Sequence, residues 1–197
     1  MGNFAKKAIA NKVSKHAENV ILEKAFGVLP KEKLITQIDQ SNGLVITPVN
    51  NDDIVNYIVN DPKGNLRYLA KVNPEESTGN LYVVNANGED CAVIRKKSFS
   101  FAPTYLVRAG NQTLGLIKRG RKAPNLSYYA KYLGWKVHGN SIGYVYKVME
   151  GKKTVLTISR DRDLGLALDF AVVSNSNELS GVILALVIDM IFRNDLQ

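Results

Sequence analysis

Between Cys91 and Met149 the chain carries eleven lysines and arginines and no aspartate or glutamate. They are Arg95, Lys96, Lys97, Arg108, Lys118, Arg119, Arg121, Lys122, Lys131, Lys136 and Lys147. An acid-free stretch of this kind sets up a positive field that attracts anions: phosphate headgroups, phosphosugar backbones or acidic proteins. Elsewhere 15 basic residues face 18 acidic ones, so this segment supplies more than the whole net charge of +8. Two clusters are dense enough to stay together in most folds, Arg95 to Lys97 and then Lys118, Arg119, Arg121 and Lys122, with Gly120 and Pro124 marking the second as a loop tip. The competing reading is a set of solvated strand faces that point several ways, because side chains alternate along a strand.

Nine of the sixteen aromatic residues fall in or beside the same segment: Phe99, Phe101, Tyr105, Tyr128, Tyr129, Tyr132, Trp135, Tyr144 and Tyr146. Basic and aromatic side chains together line grooves for single-stranded nucleic acid. Sheets also favour Tyr and Trp for cross-strand packing. No nucleic-acid-binding motif accompanies the charge, so the aromatics are read as core and nucleic acid ranks last among partners.

Catalytic inventory is thin. His16 and His138 are the only histidines and Cys91 the only cysteine, which leaves no ligand set for a structural zinc site and no internal disulfide. Gly110 and Gly115 have phosphate-loop spacing, but Leu116 and Ile117 replace the Lys and Ser or Thr that would hold phosphate and metal. The carboxylate pairs Asp52-Asp53, Glu75-Glu76 and Glu89-Asp90 sit in turn-like stretches. The expectation is a protein that is not an enzyme and that uses no cofactor or metal. A lone cysteine suits a reducing compartment, and Cys91, followed by Ala92, Val93 and Ile94, reads as a small buried hydrophobe.

The elements that must position the charges are legible from periodicity. Residues 1–30 read as a basic amphipathic helix or arm: Ile9, Val13, Ala17 and Val20 or Ile21 recur at helical spacing among Lys6, Lys7, Lys12 and Lys15. Such a helix can lie on an anionic membrane, dock on a partner, or pack on its own domain. Gly2 does not open a myristoylation signal, because Lys6 stands where Ser or Thr is needed. At the other end Leu179 to Phe192 has eleven apolar residues in fourteen, which predicts a helix over about 177–193 that is buried on every side. Fourteen residues reach only about 21 Å, short of the roughly 30 Å hydrocarbon core, and Asp189 interrupts them, so no transmembrane span is expected.

The middle reads as thirteen short strands: Leu34 to Asp39, Leu44 to Thr47, Ile54 to Val59, Leu66 to Val72, Leu81 to Asn85, Ala92 to Arg95, Tyr105 to Arg108, Leu114 to Lys118, Ser127 to Tyr132, Trp135 to His138, Gly143 to Val148, Val155 to Ser159 and Leu166 to Phe170. Turn residues separate them at intervals typical of an antiparallel barrel or sandwich. A mainly β fold of about twelve strands closed around the apolar helix removes the sheet edges and fills the lumen. No linker divides 31–197, which is taken as one domain.

The segment Asp161 to Arg193, DRDLGLALDFAVVSNSNELSGVILALVIDMIFR, resembles the ending of the tubby-like superfamily, which includes phospholipid scramblases and LURP-one-related proteins. In that ending an acidic strand with a Gly leads through a turn into an apolar helix closed by an isoleucine-aspartate pair, here Ile188 and Asp189. Lys97-Ser98-Phe99, Tyr105-Leu106-Val107, Leu114-Gly115-Leu116-Ile117 and Gly134-Trp135 are similar to the LURP-one-related pattern. The resemblance runs from about Lys33 to the end. It implies a twelve-stranded barrel around a central helix and, from tubby-type members, anionic-lipid binding through basic residues. The calcium feature of scramblases departs here: Asp161 and Asp163 match its opening, but Gly165 and Val172 stand where ligands are expected. Scramblase activity is therefore not expected. The function read from the sequence is a cytoplasmic barrel, peripheral at the inner membrane surface, that binds anionic phospholipid through Arg95, Lys96, Lys97, Lys118, Arg119, Arg121 and Lys122, with Lys6, Lys7, Lys12 and Lys15 as further membrane or partner contacts. The alternative is an interaction or structural module for an acidic protein.

Overall fold

The computed structural model describes residues 43–49, 55–73, 75–76, 79–98, 100–120, 127–130, 133–139, 145–161, 165–169 and 178–194. Among the described residues twelve strands lead to one helix: β1(Leu44–Pro48), β2(Val55–Asn60), β3(Leu66–Val72), β4(Leu81–Asn85), β5(Asp90–Lys96), β6(Thr104–Ala109), β7(Gln112–Arg119), β8(Ser127–Ala130), β9(Trp135–Gly139), β10(Val145–Glu150), β11(Lys153–Asp161), β12(Gly165–Asp169) and α1(Glu178–Asn194). The mainly β class with a C-terminal helix is as expected. Of the thirteen expected strands, Leu34 to Asp39 lies outside the described residues, as do the N-terminal helix with Lys6, Lys7, Lys12 and Lys15 and the boundary at residue 30.

Tight turns join the strands because their residues favour them. Gly110 and Asn111 form a two-residue link with Ala109 paired to Gln112, and Gly110 takes a φ of 53 that other residues avoid. Between β2 and β3, Asp61 Oδ1 accepts the backbone N–H groups of Lys63 and Asn65 at 2.9 and 2.8 Å. Hydrogen bonding from the Asn65 side chain, with those backbone donors, holds the Asp61 carboxyl below its usual range.

Every strand pairs antiparallel with its sequence neighbours, and β1 also pairs with β12 through Leu44–Leu168, Val45–Ala167 and Ile46–Leu166, which closes the ring. Alternation then sorts the side chains. Ile46, Val59, Ala70, Val83, Ile94, Val107, Ile117, Val137, Val148 and Ile158 turn inward and are fully buried. They share one core with α1, whose residues Val182 to Ile188 have no exposed surface. The helix therefore occupies the lumen that twelve strands leave too wide for side chains alone. No helix among the described residues is long and apolar enough to cross a membrane.

Polar contacts fix the helix near both ends. Arg67 donates to Glu178 at 2.8 Å and the Tyr68 hydroxyl donates to the same oxygen at 3.0 Å. Further along, the Tyr57 hydroxyl donates to Oδ2 of the buried Asp189 at 2.9 Å. Asp189 thus breaks the apolar pattern as one half of a buried polar contact.

The antiparallel meander gives two rims. The entry rim, where α1 begins, carries the β2–β3, β4–β5, β6–β7 and β10–β11 turns. The far rim carries the β3–β4, β5–β6, β7–β8 and β9–β10 connections. The register between β6 and β7 shifts between Val107 and Arg108, which pair with Gly115 and Thr113, so Leu114 is the extra residue of a bulge on β7 beside Gly115, which adopts a φ of 147. Gly115 is therefore a strand glycine. The reading of Cys91 is corrected: Ala92 and Ile94 take the inward positions of β5, so Cys91 lies on the outer face, partly exposed. Burial nevertheless raises its thiol pKa, and Sγ points to the Glu89 carbonyl at 3.5 Å.

Candidate anion-binding rim

Strand parity decides which charges meet. β5 and β7 both end at the far rim, where β6 begins between them. Lys96 pairs with Tyr105, and Tyr105 with Ile117. One step outward, the Lys97 N–H donates to the Thr104 carbonyl at 2.9 Å, Thr104 pairs with Lys118, and the Arg119 N–H donates to the Pro103 carbonyl at 3.1 Å. Two strand spacings separate the backbones of Lys97 and Lys118, about 10 Å. Arg95 to Lys97 and the described part of the second cluster, Lys118 and Arg119, thus form one basic arc.

Within it Arg95, Lys96, Lys97 and Lys118 are exposed and Arg119 is half-buried. Arg95 and Lys118 lie on the outer face, in line with Leu106 and Thr104 of β6, while Lys96 follows the inward row of Ala92 and Ile94 out of the lumen. Arg121 and Lys122 lie outside the described residues.

Of the remaining charges of the acid-free segment, Lys131 lies outside the described residues and the other three are dispersed. Arg108 sits near the entry-rim end of β6, while Lys136 and Lys147 stand on the outer wall, paired with Tyr129 and His138 respectively. The reading of split strand faces is correct for these three. Charges of both signs mix at the other rim: Asp61, Glu89, Asp90, Glu150 and Glu178 lie there with Lys63, Arg67, Arg108, Lys152 and Lys153. At the far rim Glu76 accepts from Asn80 at 3.0 Å and from the Tyr82 hydroxyl at 2.5 Å, which raises the Tyr82 pKa. Asp161 ends β11 on the opposite side of the ring, and Asp163 lies outside the described residues. No group of three or more His, Cys, Asp or Glu that could hold a metal occurs among the described residues.

The aromatics divide. Tyr105, Trp135 and Tyr146 are buried core residues, as their strand positions predict. Phe101 is fully exposed, against the core reading, on the β5–β6 connection beside the basic arc. Nothing in its local sequence distinguishes it from a core aromatic; the loop backbone decides. The sequence also spells Gly-x-Ser-x-Gly at Gly139, Ser141 and Gly143. A nucleophile elbow leads from a strand into a helix. Here β9 and β10, on either side of the pattern, pair directly with each other, and Ser141 and Gly143 lie outside the described residues.

No protein-family description and no curated protein matches the chain. Among solved structures it is similar to an Arabidopsis thaliana protein at 15% identity and a TM-score of 0.52, over 75% of this chain and 90% of that one. A likeness at that identity is one of fold.

Proposed function

We propose that the chain is a non-enzymatic barrel of the tubby-like, LURP-one-related kind that binds anionic phospholipid headgroups at a cytoplasmic membrane surface. The observation that carries this reading is the far rim, where Arg95, Lys96, Lys97 and Lys118 are exposed around the start of β6 on a rigid wall. Cations spaced along a rim engage several headgroups at once, and each contributes about 1 kcal/mol near an anionic surface. The fold shared with the Arabidopsis protein supports the barrel but says nothing of its ligand.

Co-sedimentation with phosphatidylserine-containing and phosphatidylcholine vesicles tests it. Replacing Lys118, Arg119, Arg121 and Lys122 by Gln is expected to lower affinity for the anionic vesicles by about a hundredfold or more. Replacing Lys6, Lys7, Lys12 and Lys15 by Gln reads the contribution of the N-terminal segment separately. Unchanged binding of the rim variant would refute the site. If neither vesicle binds the wild-type chain, the lipid reading fails and an acidic protein partner takes its place.

A further inference from the structure

Phe101 is fully exposed, and the other large hydrophobic residue exposed among the described residues, Leu66, is only 37% so. A single surface hydrophobe is ordinary. The loop that holds this one is not: it is braced from within. The Thr104 hydroxyl donates to the Ala102 carbonyl at 2.9 Å, the Ser100 hydroxyl also bonds that carbonyl, and the two hydroxyls meet at 2.7 Å. Ala102 is buried, and the Pro103 carbonyl is tied to the Arg119 N–H on β7. The small residue turns in and the large apolar one is held out.

We propose that Phe101 is a membrane-inserting side chain, seated in the interfacial layer of an anionic bilayer while Arg95, Lys96, Lys97 and Lys118 hold headgroups around it. This rests on the lipid reading above and adds the depth and orientation of docking. A bilayer surface suits both halves of the feature: headgroups answer the charge, and the acyl boundary takes up an aromatic ring that water does not favour. A purely polar anion, such as a free phosphate, uses the cations and leaves the ring in water. β5, β6 and β7 carry no carboxylate beyond Asp90 at the opposite end, and on this rim Glu75 and Glu76 belong to the β3–β4 connection, where Glu76 is engaged by Asn80 and Tyr82.

The test uses the full chain with phosphatidylserine-containing vesicles and, in parallel, inositol hexakisphosphate as a soluble polyanion. Phe101→Ser is expected to lose on the order of tenfold or more in vesicle affinity, the scale of burying one large apolar side chain, while polyanion binding is unchanged. Because Phe101 makes no core contact, thermal unfolding of the variant should match the wild type. In Phe101→Trp the new indole should shift to the blue on vesicle addition and be quenched by brominated acyl chains, whereas Trp135, buried in the barrel, gives a constant background. Wild-type vesicle affinity in Phe101→Ser, with no quenching in Phe101→Trp, would overturn insertion and leave headgroup binding intact. A blue shift that depends on protein concentration without vesicles would also overturn it, in favour of contact between two copies. Absence of vesicle binding by the wild type would overturn both proposals together.

Discussion

Gly139 and Tyr146 face each other across β9 and β10, and a Cβ on Gly139 would fall within the Tyr146 ring. The glycine is needed for the space it leaves, since its φ is not in the left-handed region. Gly139→Ala should therefore destabilise the fold by about 1–3 kcal/mol through overpacking, read as a lower urea midpoint at unchanged slope. Residue-scale features of this sort are partly legible in sequence. Alternation from Ala92 and Ile94 already places Cys91 outward, so its exposure could have been read; the local apolar run obscured it. The outward turn of Phe101 could not, because it depends on hydroxyl contacts of Ser100 and Thr104 that sequence spacing does not encode. The contact between Tyr57 and Asp189 spans 132 residues and was likewise invisible, although a lone acid in an apolar helix signals that a partner must exist.

At the scale of elements, the helix and most strands follow from period and turn chemistry. The expected ranges Leu66 to Val72 and Leu81 to Asn85 coincide with β3 and β4, and α1 begins one residue after the expected 177. The meeting of the basic clusters was not legible, because it depends on β5 and β7 ending at one rim with β6 between them. The anchor of α1 carries a pH signature. Burial, and then the neighbouring Glu178, pushes the Tyr68 hydroxyl from an ordinary 10.0 up to about 12. A group with a raised native pKa stabilises the fold fully below its unfolded pKa and loses that contribution as pH rises through the native value. The stability difference between wild type and Tyr68→Phe should accordingly shift against the wild type from pH 10 to about 12, as followed by urea midpoints. Between pH 6 and 9 Tyr68 adds no slope.

Over the whole molecule, helix and sheet share one core, and neither buries its apolar face without the other. Unfolding in urea should therefore be a single transition in which the far-ultraviolet dichroism of the helix and the fluorescence of Trp135 change together. Separate midpoints would mean that the barrel persists without its filling. The uneven charge of the two rims, basic at the far end and mixed at the entry, gives the molecule a long-range orientation in an electric field, which high salt screens.

The pairing of β1 with β12 has a consequence for how the protein is made. Successive hairpins can assemble as the chain leaves the ribosome, yet the seam joins residues 44–46 to residues 166–168, and the filling is synthesised later still. Until α1 emerges, a curled sheet with a greasy inner face and two open edges waits for the segment that completes it. Vectorial synthesis thus leaves its most adhesive intermediate for last, and a chaperone that shields that inner face should matter more for yield than one that assists the individual hairpins.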